Sequence, residues 1–83
     1  MSTTDERPLA GDDAFVIFNG SSLGAALRHY RKRAGLTQAE MAMQAGLSRE
    51  ALSQLENGRE TEQLHHILTL LRLLGLRWKI EEA

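Results

Sequence analysis

Five polar residues follow a helical spacing between residues 48 and 58, and their side chains can hydrogen-bond to nucleic-acid bases. They are Arg49, Glu50, Ser53, Gln54 and Asn57. Arginine can bond to guanine in a forked geometry, glutamine can do so with adenine, and glutamate can accept from the amino group of cytosine. Ala51, Leu52 and Leu55 fall on the opposite side of the same helix, so that side can pack. For any one of these polar residues taken alone, an ordinary solvated surface is the alternative.

The residues before this helix predict a second helix and a sharp turn. Thr37 followed by Glu40 has the spacing of a capping box, so a helix should begin near Gln38. Gly46 can end that helix, because glycine adopts a positive φ without the steric penalty of a Cβ. Ser48 is placed to cap the next helix. Two capped helices joined by a glycine turn, the second with a polar face, predict a helix-turn-helix that enters the DNA major groove.

The rest of the sequence predicts two more helices and two short strands. We expect a strand over residues 14–18, then a helix capped by Ser21 or Ser22 and ending near Ala34. A fourth helix should cover about residues 62–74, with a main apolar stripe of Leu64, Ile67, Leu68, Leu71 and Leu74. Leu76, Trp78 and Ile80 alternate with charged residues, which predicts a half-buried strand. That strand can pair with residues 15–18, with its own copy across a two-fold axis, or with both.

Composition agrees with one small domain. The 83 residues are 42% hydrophobic, enough for one modest core, and a chain of this size often gains stability by pairing with a second copy. Residues 1–13 are polar and acidic, so we expect a disordered tail before a single domain at residues 14–83. The absence of cysteine excludes a disulfide framework and is consistent with a reducing cytoplasm, where we expect the protein to act. We expect no signal peptide and no membrane-spanning segment.

For DNA binding, the distribution of charge along the chain matters more than the net charge. The formal net charge is −1, which by itself argues against a DNA-binding protein. Residues 23–59, however, contain six basic and three acidic side chains, whereas residues 1–22 contain four acidic and one basic. We therefore expect a cationic surface on the central part of the chain, with modest non-specific DNA affinity that salt weakens strongly.

No catalytic, cofactor or metal site is predicted. His65 and His66 are adjacent, so on a helix they point about 100° apart and cannot easily share a metal ion. His29 stands alone in the first helix, and no serine belongs to a nucleophile elbow or a triad-like arrangement. We therefore expect that the protein is not an enzyme.

Residues 23–76, about two-thirds of the chain, resemble the XRE family, the helix-turn-helix domains of the Cro and phage-repressor type. The motifs that carry this resemblance are Gly35-Leu36-Thr37-Gln38, Ala42, Gly46, Leu47-Ser48 and Leu55-Glu56-Asn57-Gly58, at the family's spacing. The entry at residues 23–28 and the strand-like segments on either side of the helices more specifically resemble the HipB-like antitoxins within that family.

The resemblance implies a fold and a set of roles. The fold is mainly α, a compact four-to-five-helix phage-repressor-like domain whose short C-terminal strand, with a possible N-terminal strand, is used in dimerisation. Gln38 is implied to hold a backbone phosphate. Base reading is implied for Arg49, Glu50 and Gln54, and contact with the sugar-phosphate backbone for Ser48, Asn57 and Arg59. Arg31 and Glu56 are implied to form a partly buried salt bridge between the first and third helices. The family more usually has proline and threonine where this chain has Glu62 and His66.

We interpret the chain as a sequence-specific, dimeric transcriptional repressor that binds a palindromic operator in double-stranded DNA. The resemblance further implies the antitoxin of a type II toxin-antitoxin operon, which represses its own promoter and neutralises a HipA-like kinase toxin. Two alternatives remain open. One is a protein-interaction module that mainly binds and inhibits a toxin, and the other is a stand-alone phage or restriction-modification regulator.

Overall fold

Residues 14–83, the part of the chain that the computed structural model describes, form four helices between two short strands. The elements are β1 (Phe15–Ile17), α1 (Gly20–Arg33), α2 (Gln38–Ala45), α3 (Arg49–Glu56), α4 (Glu62–Leu73) and β2 (Trp78–Ile80). This arrangement confirms the mainly helical fold with a short strand near each end. The disordered tail expected at residues 1–13 lies outside the described residues.

The caps of α2 and α3 confirm the predicted local structure. The Thr37 hydroxyl accepts from the Glu40 amide at 3.1 Å, and the Glu40 carboxylate accepts from the Thr37 amide at 2.8 Å. Gly46 ends α2 with a φ of 75°, a left-handed conformation that favours glycine. The Ser48 hydroxyl then accepts from the Ala51 amide at 3.0 Å. These contacts set the turn between the two helices.

The predicted serine cap of α1 was wrong, because Asn19 caps this helix instead. The Asn19 side-chain oxygen accepts from the Ser22 amide at 2.9 Å, and the Ser22 hydroxyl accepts from the Asn19 amide at 3.0 Å. Asparagine caps a helix about as well as serine, and a serine three residues later closes the reciprocal box. Ser22 therefore lies inside the first turn rather than before it.

The two strands pair with each other in antiparallel orientation. The register joins Phe15 to Ile80, Val16 to Lys79 and Ile17 to Trp78. Of the three pairings that the sequence left open, pairing within the chain is therefore present. Each strand has three residues, shorter than expected, and Leu76 lies before β2 and is 55% exposed instead of alternating into the core.

The core lies between the sheet, α1 and α4. Ile17, Ala26 and Leu68 are buried at its centre, and partly buried side chains pack around them: Phe15, Leu23, Leu64, Trp78 and Ile80. Helix α4 begins at the predicted Glu62, where the Thr61 hydroxyl caps the Leu64 amide at 3.2 Å. Two members of its expected stripe face solvent, however, because Ile67 is 42% and Leu74 is 69% exposed.

Candidate nucleic-acid interface

The predicted base-reading residues lie on the solvent side of α3. Arg49, Glu50 and Gln54 are exposed, while Leu52 and Glu56 are buried on the packed side of the helix. Ser53 follows the same spacing, but its side chain is half-buried and so less accessible than the other three. The side chains that would face base edges are therefore an arginine, a glutamate and a glutamine, all with unlike hydrogen-bonding patterns.

The residues expected at the DNA backbone lie at the two ends of α3. Ser48 is the N-cap and Asn57 the C-cap, and both are exposed. Beyond the positive φ of Gly58, the Arg59 amide donates to the Gln54 carbonyl at 3.0 Å. This bond fixes the backbone of the exposed Arg59 against the last turn of the helix.

A buried ion pair attaches α3 to α1, as the family resemblance implied. Arg31 donates through Nε to Glu56 Oε2 at 2.6 Å and through Nη2 to Glu56 Oε1 at 2.9 Å. Its remaining terminal nitrogen donates to the Leu36 carbonyl at 2.9 Å. Arg31 is 8% and Glu56 4% exposed, so this forked pair lies in the interior and joins α1, the loop before α2 and the end of α3.

Both members of this pair are held in their charged forms. The hydrogen bonds from Arg31 hold the pKa of Glu56 below its usual range, although burial opposes that effect. The same contact raises the pKa of Arg31. The two charges therefore neutralise each other, and neither adds to the charge at the surface.

Gln38 has a contact that sequence reasoning missed. Its side-chain nitrogen donates to Glu56 Oε1 at 3.1 Å, so the first residue of α2 is tied to the last residue of α3. This bond adds a direct link between the two helices of the helix-turn-helix. It also fixes the Gln38 side chain, which is half-buried. The phosphate contact implied for Gln38 stays a prediction.

Arg28 is a second residue that the sequence analysis did not assign to the site. Its Nη2 donates to the Asn57 side-chain oxygen at 3.2 Å, and its Nε lies 3.7 Å from Glu56 Oε1. The feature of the sequence that could have identified Arg28 is its position three residues before Arg31, which places both side chains on one face of a helix. We call the group formed by Arg28, Arg31, Gln38, Glu56 and Asn57 the Glu56 corner.

A glycine lets α1 approach the end of α3 closely. A Cβ atom on Gly24 would lie 2.5 Å from the carbonyl oxygens of both Leu55 and Glu56, closer than real side chains come. These oxygens belong to the backbone of α3, so they cannot move without shifting the helix. The position of α3 therefore depends on a small residue at 24.

Two kinds of feature are absent from the part of the chain that the structure describes. Among residues 14–83, no group of three or more histidine, aspartate or glutamate side chains is placed to hold a metal ion. In the same residues, no helix combines the length and the apolar character needed to cross a membrane.

Comparison with known proteins adds a family to this geometry. A family model described as a helix-turn-helix domain matches residues 22–77, which include all of α2, α3 and α4 and most of α1. The chain is also 42% identical over 60 residues to the "ImmF control region 10 kDa protein" of Bacillus phage phi105, a match covering 69% of this chain and 67% of that protein. The Glu56 corner and the exposed side of α3 both lie inside the family match. The chain belongs to this family of helix-turn-helix domains.

Proposed function

We propose that this protein is a sequence-specific DNA-binding repressor of transcription that acts as a dimer. The observation that carries the proposal is the exposed set Arg49, Glu50 and Gln54, presented on a helix that the buried Arg31–Glu56 pair holds in place. Rigid mounting matters because base reading depends on forked hydrogen bonds with narrow geometric tolerance. The helix-turn-helix family supports the major groove as the place where α3 binds.

Each part of the surface has a separate task in this proposal. Arg49 bonds to guanine, Gln54 to adenine and Glu50 to the amino group of cytosine. The residues at the ends of α3 and at the start of α2 bind the DNA backbone and set the register of the reading helix: Gln38, Ser48, Asn57 and Arg59. Ser53, within α3, contacts DNA from the same polar side as the base-reading residues. Phosphate contacts fix orientation, and base contacts give sequence preference.

The proposed dimer uses apolar side chains that one chain leaves in solvent. We call Ile67, Leu70 and Leu73 of α4, together with Leu74 and Leu76 just after it, the outer α4 face; each is at least 42% exposed. Contiguous exposed apolar residues usually mark an interaction surface. A second copy is the proposed occupant, because a two-fold dimer presents two copies of α3 to half-sites about 34 Å apart. The strand β2, whose only partner among residues 14–83 is β1, lies next to this face.

The comparisons bear on the biological setting. The phage relative is described as a control-region protein, which supports transcriptional control and favours a stand-alone regulator as a second candidate. The finer proposal, an antitoxin that represses its own operon and neutralises a HipA-like kinase toxin, rests on the HipB-like resemblance. A kinase-like gene beside this one, whose product forms a complex with this protein, would support the antitoxin; a phage control region without such a gene would support the stand-alone regulator.

The proposed function is tested by selecting binding sites from a library of random duplexes and then measuring affinities. We expect enrichment of a palindromic site, with a complex mass that corresponds to two chains per duplex. Arg49→Ala and Gln54→Ala should each weaken binding to that site by about 1–3 kcal/mol. Gln44→Ala, an exposed glutamine on α2 outside the proposed surface, is the matched control and should bind like the wild type. Enrichment of no site, or equal binding by all four proteins, would overturn the proposal.

A further inference from the structure

We propose that Arg28 and Asn57 form a paired binding site for one DNA phosphate, in which Arg28 both contacts the phosphate and positions Asn57. This inference rests on the proposed DNA-binding function and extends it to a residue of α1, outside the two helices of the helix-turn-helix. The site lies at the Glu56 corner, where α1 meets the C-terminal end of α3.

The geometry brings the two side chains together from distant parts of the sequence. Arg28 Nη2 donates to Asn57 Oδ1 at 3.2 Å, across a separation of 29 residues. The Arg28 side chain is 47% exposed, so its guanidinium remains accessible to a ligand in solution. A guanidinium has five N–H donors in a planar fork that matches phosphate oxygens, and the bond to Asn57 uses one of them.

The charge of Arg28 is not consumed by the nearby glutamate. Glu56 already accepts two short bonds from Arg31, whereas its distance to Arg28 is 3.7 Å, longer than a hydrogen bond. The two arginines and the one glutamate leave a net positive charge at this corner. That charge lies on the exposed member, Arg28, where a phosphate can reach it.

The contact with Arg28 also sets which end of Asn57 is offered to a ligand. An asparagine side chain has an oxygen that accepts and a nitrogen that donates two hydrogen bonds. Since Oδ1 accepts from Arg28, Nδ2 is the atom left to donate. A phosphate requires donors, so Arg28 holds Asn57 in the orientation that suits an anion.

The test compares Arg28→Ala with Arg33→Ala in DNA binding measured at several salt concentrations. Both variants remove one positive charge from α1, but Arg33 points about 140° away around the helix and lies 3.4 Å from Glu82. We expect Arg28→Ala to weaken binding to the selected site and to a scrambled duplex alike, by about tenfold near physiological salt. The slope of log affinity against log salt should fall by about 1 for Arg28→Ala and stay near the wild-type value for Arg33→Ala.

Two further variants separate phosphate contact from a structural role. Asn57→Ala removes the second member of the pair. The double variant with Arg28→Ala should lose less binding free energy than the sum of the losses in the two single variants. Arg28→Lys keeps the charge, so it should retain the wild-type salt slope while losing part of the affinity. Thermal unfolding monitored by circular dichroism checks that each variant is folded. If Arg28→Ala does not fold, Arg28→Gln takes its place, because it removes the charge while keeping a long side chain.

The outcomes distinguish this inference from the proposed function. Wild-type binding with equal losses and equal salt slopes in Arg28→Ala and Arg33→Ala would overturn the inference alone, since only total charge would then matter. Absence of any salt-dependent DNA binding by the wild type would overturn the proposed function and the inference with it.

Discussion

At the Glu56 corner the charged pair of Arg31 and Glu56 is buried, whereas along the outer α4 face apolar groups lie in solvent. Glu56 finds its hydrogen-bond partners within the same chain, since it accepts from Arg31 and Gln38 and lies near Arg28. The apolar side chains of the outer α4 face are not covered by that chain, because Leu70, Leu73 and Leu74 are 57%, 77% and 69% exposed. The contrast indicates that one chain alone positions α3, while α4 leaves apolar side chains in solvent that the proposed dimer would cover.

The substitution with the largest expected effect on stability removes Glu56 from the corner. Glu56→Ala should lower the free energy of unfolding by about 3 kcal/mol or more, because it leaves the Arg31 guanidinium buried without its carboxylate partner. Chemical denaturation monitored by circular dichroism measures the change. Glu81→Ala is the control, since Glu81 is exposed and its contact with Lys79 at 3.5 Å is a surface pair worth little. Equal stability of the two variants would show that the corner does not hold α3 in place.

A second prediction concerns the close approach of α1 to α3. Gly24→Ala should destabilise the fold by about 2 kcal/mol, because the added Cβ would meet two backbone carbonyl oxygens at 2.5 Å. In an exposed helix the same change stabilises by about 1 kcal/mol, so the sign of the effect tests the contact. Ala25→Ser, at the next and exposed position, should change stability by less than about 0.5 kcal/mol. A stabilising Gly24→Ala would show that α1 does not approach the end of α3 so closely.

The third prediction addresses the outer α4 face. Leu70→Glu should weaken self-association by about tenfold or more in sedimentation equilibrium, because it would bury a charge in the proposed interface. Met43→Glu also replaces an exposed apolar side chain by glutamate, at a 75% exposed residue of α2 outside this face, and should leave self-association unchanged. A wild-type protein that stays monomeric at high concentration, or a Leu70→Glu dimer as tight as the wild type, would remove the case for a dimer through this face.

The smallest effect is the dependence of stability on pH. Bonds from Arg31 to Glu56 and from Thr37 to Glu40 hold the pKa of each carboxyl below its usual range. A carboxyl whose pKa is lower in the folded than in the unfolded state stabilises the fold at pH values above its unfolded pKa, which is about 4.3 for glutamate. This stabilisation is lost as the pH falls through the pKa of the folded state. The free energy of unfolding should therefore decrease below about pH 4.5, and Glu40→Gln should reduce that decrease modestly. A stability that is constant from pH 6 to pH 3 would contradict this prediction.

Local chemistry explains which parts of the fold the sequence predicted. The capping box of Thr37 and Glu40, the turn at Gly46 and the Ser48 cap each depend on residues within four positions of one another. The prediction failed at the start of α1, where Asn19 and not Ser21 or Ser22 is the cap, because asparagine and serine cap about equally well and the backbone conformation decides which residue does so. Base-reading roles were assigned from helical spacing, and the exposure of Arg49 and Gln54 agrees with that pattern.

Contacts between distant residues explain what the sequence did not predict. The link from Arg28 to Asn57 depends on how α1 crosses α3, and the link from Gln38 to Glu56 depends on how α2 packs against α3. Helical spacing places such residues on a face but does not say which face meets which neighbour. For the same reason the exposure of Ile67 and Leu74 was missed, since an apolar stripe looks alike whether it meets its own core or a partner.

Whether the exposed side of α3 reads DNA sequence is measured by the ratio of specific to non-specific DNA affinity. This ratio is determined for the wild type and for Arg49→Ala from their affinities for a selected palindromic duplex and for a scrambled duplex at physiological salt. We expect the wild type to prefer the selected duplex by about 10³-fold or more. We also expect Arg49→Ala to reduce this preference by about tenfold or more while scarcely changing the affinity for the scrambled duplex. A wild-type ratio near one, or a ratio unchanged by Arg49→Ala, would contradict the claim that the exposed side of α3 reads DNA sequence.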